Sequence, residues 1–193
     1  LTGKVAEATE PKYAHIKCRG GNGIAKLAYE YKGVHDCAAA KIVQQGPKFC
    51  KFGCLGFGNC TRACPFGAMS MGENGLPVVN KTLCTGCGKC ASVCPNHVIE
   101  LLPISAKVSI SCSSKDFGAP AMKNCKALCL GCGSCMRNCS HQEEGAIKII
   151  DHLAVVNQDI CHTCDNATCL TKCPTGAINE MIKGSFKKEE NVG

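Results

Sequence analysis

The chain has 193 residues, 20 of them cysteine, with no Trp, three Tyr and six Phe, so too few large apolar side chains are present for burial alone to hold a fold. The formal charge of +7 comes without aromatic side chains interleaved among the basic ones, which excludes a base-stacking nucleic-acid surface. No hydrophobic signal segment is present and Cys-x2-Cys pairs are poorly spaced for mutual bridging, which argues against a secreted disulfide scaffold and for a reducing compartment, cytosolic or facing the cytosol.

In chain order, residues 1–48 hold no dense cysteine run. Ala25 to Tyr31 and Asp36 to Gln45 read as helices parted by Gly33, giving a small, mainly helical N-terminal segment that carries Cys18 and Cys37. Residues 49–103 hold two runs, Cys50-x3-Cys54-x5-Cys60-x3-Cys64-Pro65 and Cys84-x2-Cys87-x2-Cys90-x3-Cys94-Pro95. A connecting segment, 104–123, contains Cys112, a strand-like stretch from Lys107 to Ser111 and a Gly-Ala-Pro turn at 118–120. Residues 124–183 hold Cys125 and two further runs, Cys129-x2-Cys132-x2-Cys135-x3-Cys139 and Cys161-x2-Cys164-x4-Cys169-x3-Cys173-Pro174; a tail spans 184–193.

The text that closes each run is similar (CPFGAM, CPNHVI, CSHQEEGAI, CPTGAI), which marks an internal repeat. Strand-like stretches follow some runs, at Val98 to Leu101 and Ile147 to Ile150. Others precede the second and fourth, at Leu76 to Asn80 and Leu153 to Asn157. Such pairs read as small antiparallel sheets bracketing the runs. The expected class is therefore α+β, with two tandem units of short hairpins and helices.

The second run is, residue for residue, the bacterial ferredoxin ligand set for a [4Fe–4S] cluster. Cysteines at i, i+3 and i+6 cap three corners of a cubane, and the fourth, having left the loop, ligates the other cluster of the pair. That rule puts one cluster on Cys50, Cys54, Cys60 and Cys94, and a second on Cys84, Cys87, Cys90 and Cys64. It puts a third on Cys129, Cys132, Cys135 and Cys173, and a fourth on Cys161, Cys164, Cys169 and Cys139. Zinc sites use two close cysteine pairs across a longer spacer, a pattern absent from these runs. The third run has Ser140-His141 in place of proline, and His141 reads as a surface residue.

Cys18, Cys37, Cys112 and Cys125 remain. They are the right number for a fifth cluster; the alternative is buried free thiols, and Cys125 also competes for the place given to Cys129. Four oxidised clusters with their thiolates add a charge of roughly −8, which brings the loaded protein near neutral. Metal binding then supplies folding free energy, and the apo-chain is expected to be unfolded or molten.

Gly46-Pro47-Lys48-Phe49-Cys50-Lys51-Phe52-Gly53-Cys54-Leu55-Gly56-Phe57-Gly58-Asn59-Cys60, with Ala63-Cys64-Pro65-Phe66, closely resembles the B subunit of the Rnf complex. So do Met71-Gly72-Glu73-Asn74-Gly75-Leu76-Pro77-Val78-Val79 and Ser111-Cys112-Ser113-Ser114-Lys115-Asp116. The resemblance runs from about Cys18 to about Ile182. It implies an electron-transfer subunit that takes electrons from reduced ferredoxin and passes them from cluster to cluster. The acceptors would be other subunits of a membrane-bound ferredoxin:NAD oxidoreductase coupled to ion transport. The family has an N-terminal membrane helix and a further cysteine-rich module, and no stretch here reaches the roughly eighteen apolar residues of a spanning helix. The resemblance therefore implies a peripheral part on the cytoplasmic side of the cell membrane, attached through the parent complex.

No Gly-x-Gly-x-x-Gly fingerprint, P-loop or Ser-His-Asp set is present, so no substrate-turnover site of its own is expected and NAD chemistry falls to a partner. The other reading is a soluble polyferredoxin serving several dehydrogenases. Such a carrier would have an acidic surface, whereas Lys41, Lys48, Lys51, Lys81, Lys89, Lys123 and Lys126 crowd the cysteine loops and could steer an acidic donor.

Overall fold

The structure is a computed structural model and describes residues 10–182. The tail at 184–193, the last residue of the second unit and the first nine residues of the N-terminal segment lie outside the described residues.

Eight short strands and seven short helices alternate along the described residues. The first half contains β1 (Lys12–Ile16), α1 (Cys37–Ile42), α2 (Asn59–Arg62), β2 (Met69–Met71), β3 (Pro77–Val79), α3 (Lys89–Ser92) and β4 (Ile99–Pro103). The second contains β5 (Val108–Ile110), α4 (Gly118–Asn124), α5 (Ser134–Arg137), β6 (Ile147–Ile150), β7 (Leu153–Val156), α6 (Gln158–Cys161), α7 (Thr168–Thr171) and β8 (Ile178–Glu180). All four sheets are antiparallel pairs: β1 with β4, β2 with β3, β5 with β8, and β6 with β7. Each unit thus has one local hairpin and one sheet that closes its first strand on its last.

That closure changes the partition read from the sequence. The strand that completes the first unit is β1, from the segment expected to be mainly helical, and the second unit opens with β5, from the connecting segment. Val98 to Leu101 pairs with β1 and not with Leu76 to Asn80, which pairs with β2 instead. Of the two expected N-terminal helices only α1 forms, capped by Asp36, whose side chain accepts from the Ala39 N–H at 2.9 Å. Ala25 to Tyr31 is not helical: Ala25 bridges Cys125 and Leu27 bridges Lys48, so tertiary pairing overrides local preference. The Gly-Ala-Pro stretch at 118–120 opens α4, where proline is tolerated because a first-turn N–H needs no helical partner.

Each unit has its own small core. Ala14, Met69, Leu76, Val98 and Ile99 fill the first; Val108, Ile110, Leu128, Ile147, Leu153 and Ile178 fill the second, with buried cysteines in both. Residues 17–28 run between the units. Lys17 donates its N–H to the Val98 carbonyl at 2.7 Å and accepts from the Ser113 hydroxyl at 3.0 Å, Lys26 donates to the Asn124 carbonyl at 2.8 Å, and Arg19 donates to the Gly176 carbonyl.

Candidate iron–sulfur centres

The cysteine loops owe their shape to glycine. In Cys84-Thr85-Gly86-Cys87-Gly88, Gly86 and Gly88 adopt φ of 67° and 78°, a region that costs an L-residue with a side chain about 1–2 kcal/mol. A Cβ on Gly86 would also collide with the Lys12 carbonyl at the start of β1, so the loop folds directly against that strand. The third cysteine of every run, Cys60, Cys90, Cys135 or Cys169, is the second residue of a one-turn helix and is buried.

Folding sorts the twenty cysteines into five quartets. Site I is lined by Cys64, Cys84, Cys87 and Cys90 around about 310 Å³ of empty space. Site II is lined by Cys37, Cys54, Cys60 and Cys94 (about 370 Å³) and site III by Cys18, Cys50, Cys112 and Cys125 (about 340 Å³). Site IV is lined by Cys129, Cys132, Cys135 and Cys173 (about 330 Å³). At site V, Cys139 and Cys164 both act electrostatically on Cys161 and Cys169.

Spacing alone puts Cys50 with Cys54, Cys60 and Cys94, and leaves Cys37 with Cys18, Cys112 and Cys125; the structure exchanges them. Cys37 is delivered by α1, whose first turn is fastened to the start of α2. Asn59 Oδ1 accepts from the Cys37 N–H at 2.9 Å, and Asn59 Nδ2 donates to Asp36 at 2.6 Å. This holds Cys37 beside Cys60. Cys50, displaced from that place, faces Cys18 across Gly53, where a Cβ would lie 3.5 Å from both sulfurs. The widened x3 and x5 spacing of the first run was the available signal that it is not a standard ligand loop. Cys125 lines site III and leaves Cys129 its place at site IV.

The donors suit a cluster: four thiols line each of four small cavities. Backbone N–H groups point at the sulfurs: Ala14 to Cys84 at 3.4 Å, Cys54 to Cys18 at 3.3 Å, Ser114 to Cys112 at 3.4 Å and Ala154 to Cys129 at 3.5 Å. Such bonds stabilise sulfur-borne negative charge and tune a bound cluster.

As free thiols these groups resist ionisation. Burial pushes Cys54 and Cys169 up to about 12, and Cys60, Cys112, Cys135 and Cys161 up to about 11. At Cys173 burial also acts upward, but the N–H groups of Ile178, Thr175 and Ala177 outweigh it and the thiol is lowered. A coordinated thiol is deprotonated outright, so loading must release protons that burial otherwise retains. His141 pairs with Glu144 at 2.7 Å, while Ser140 places its hydroxyl 3.3 Å from Cys164.

The lysines around the loops divide into two kinds. Lys48 is buried, and Lys41, Lys51 and Lys81 donate to backbone carbonyls of Pro95, Gln44 and Met181 respectively. Lys89, Lys123 and Lys126 are exposed. Burial removes Lys48 from any surface that could steer a donor.

Cysteine quartets on short loops, with backbone N–H groups aimed at their sulfurs, define an iron–sulfur protein of the ferredoxin type. Residues 53–99 match the 4Fe-4S dicluster domain family. The chain is 49% identical over 191 residues to the B subunit of the proton-translocating ferredoxin:NAD+ oxidoreductase complex of Clostridium ljungdahlii, covering 99% of this chain and 66% of that protein. It is 40% identical over 178 residues to the B subunit of the ion-translocating oxidoreductase complex of Methanosarcina acetivorans, covering 92% and 66%. It is 37% identical over 183 residues to the B subunit of the Na+-translocating ferredoxin:NAD+ oxidoreductase complex of Acetobacterium woodii, covering 95% and 54%. The chain belongs to the B-subunit family of these Rnf-type oxidoreductase complexes. It spans about two thirds of the length of the first two relatives and about half of the third. Among the described residues no helix is long and apolar enough to cross a membrane.

Proposed function

We propose that the chain is a five-centre electron relay in an Rnf-type complex, taking electrons from reduced ferredoxin and delivering them to other subunits. The observation that carries this reading is the order of the quartets. Cys64 and Cys94 each come from the opposite run and interlock sites I and II. Cys54 of site II donates its N–H to Cys18 of site III. Cys112 of site III accepts from the N–H of Cys129, which lines site IV. Cys169 of site V lies within electrostatic reach of Cys135 of site IV. These links set the quartets in one series, with site III joining the two units.

[4Fe–4S] clusters supply one-electron oxidation and reduction at each site. The chain's part is to hold them in series, to screen them in small apolar cavities and to set their potentials through N–H groups and nearby charge. Cys87 of site I and Cys132 of site IV are exposed, so a partner protein can approach a centre in either unit. Clusters at five sites would add a charge of roughly −10 to the formal +7, leaving the loaded chain slightly acidic. Attachment at the cytoplasmic face of a cell membrane, through the rest of the complex, completes the reading. The kinship to complex subunits favours it over a free carrier.

The test is iron and acid-labile sulfide per chain on anaerobically prepared protein, with EPR after dithionite reduction. About 20 irons support five centres, on the four irons each cubane contributes. Cys112→Ser should then lower the count to about 16 and slow transfer from the first unit to the second. About 16 irons in the unaltered chain would reject site III and the series that depends on it.

A further inference from the structure

Between sites II and III lies a cation that coordinates nothing and steers nothing. Lys48 is 7% exposed. Its Nζ donates to the carbonyl of Gly20 at 2.7 Å and to that of Cys54 at 2.7 Å, and among the described residues no carboxylate pairs with it. Both carbonyls belong to cluster loops: Cys54 lines site II, and a Cβ on Gly20 would stand 3.4 Å from the sulfur of Cys125 in site III. The residue itself lines site III. Its backbone is fixed by the antiparallel bridge to Leu27 and by the bond from Ala28 to the Pro47 carbonyl at 2.7 Å, so the ammonium cannot swing to solvent with a loop.

A lone buried charge is costly to keep unless something nearby balances it. Two carbonyl dipoles solvate it in part. The natural balance is the negative charge of loaded cysteine sites on either side. The field of Lys48 already reaches the thiols of Cys54 and Cys125, where it opposes the effect of burial.

We propose that Lys48 is a built-in positive charge between sites II and III that raises the reduction potential of both, making the junction of the two units the place where an added electron rests at lowest energy. This rests on the relay reading above. Each added electron makes a site one unit more negative, and a fixed cation in a low-dielectric interior favours that form over the oxidised one. Among the described residues, sites I and IV have no such neighbour; site V has Lys107, half-buried, which donates to the Cys164 carbonyl at 2.7 Å and acts on Cys161, but whose charge is offset by Asp165 at 3.8 Å.

The experiment is a potentiometric EPR titration of the full, iron-loaded chain as wild type, Lys48→Gln, Lys48→Met and Lys48→Arg. Signals are assigned by their loss in Cys37→Ser (site II) and Cys112→Ser (site III). In the Gln and Met variants the ratio of reduced to oxidised cluster at fixed potential should fall about tenfold at both sites, a shift of about 59 mV for a one-electron couple. The other three sites should not move, and Arg should restore the wild-type values. Full iron content with unmoved midpoints in Gln or Met overturns the proposal. Loss of iron from sites II and III in both neutral variants, with retention in Arg, supports the counter-charge role; loss in all three variants shows a packing role only and overturns it. Iron analysis of the wild type separates this from the reading beneath it. About 16 irons would remove site III itself, whereas about 20 with unmoved midpoints would remove only the role of Lys48.

Discussion

At the scale of single residues, the exchange of Cys37 and Cys50 is the most consequential finding. Both are cysteines near the first run, and the run's own order favours Cys50 for site II. What decides is a side chain, Asn59, that holds the first turn of α1 beside Cys60. The two assignments make opposite forecasts. Cys50→Ser should abolish the same EPR signal as Cys112→Ser and leave the signal of Cys94→Ser intact, while Cys37→Ser should do the reverse. Each loses about four irons, on the content of one cubane. If Cys50→Ser erased the Cys94 signal instead, the exchange would be wrong.

Among the elements, the loops are set by the strands that lie on them. Gly86 has a positive φ and also supports the backbone of β1, whereas Gly67, at φ of 60° after Cys64-Pro65, has open space where a side chain would go. Gly67→Ala should therefore cost only the backbone strain, about 1–2 kcal/mol. Gly86→Ala adds a collision with the Lys12 carbonyl and should lower the thermal midpoint further, with loss of iron from site I before the other sites. Equal destabilisation by the two substitutions would show that β1 does not constrain the loop. His97 occupies the position equivalent to Gly67, after Cys94-Pro95, at φ of 51°, so the second run accepts that strain where the first does not. The hairpins were partly legible: Ile147 to Ile150 pairs with Leu153 to Val156 as their placement between two cysteine runs suggested, because two adjacent strands need only a tight turn. The sheets that close each unit were not, since β1 and β4 meet across more than eighty residues of intervening chain.

For the whole molecule, the seam between units carries a titratable group. His15 on β1 reaches Ser111 beyond β5 at 3.4 Å and is held below the usual imidazole range, first by burial. Lys17 and Lys81 push the same way, while Glu100 and the backbone at Ile110 oppose them. The neutral ring is thus the folded form. Its stabilising contribution is complete above the unfolded value of about 6.5 and is lost as pH falls through the lowered folded value. Melting of the loaded chain should weaken from about pH 6.5 downward, and His15→Gln should flatten that slope; an unchanged slope would place the acid sensitivity elsewhere. The sequence by itself determined the chemistry, because cysteines three residues apart on one loop present their sulfurs together whatever the rest of the chain does. Four of the five quartets take at least three members from one or two runs, and in three of those the cysteines brought together are the ones that spacing groups. Site III was decided only by tertiary structure. Its cysteines, Cys18, Cys50, Cys112 and Cys125, come from four separate stretches. They meet because residues 17–28 pair with both units, a long-range arrangement that no local spacing encodes.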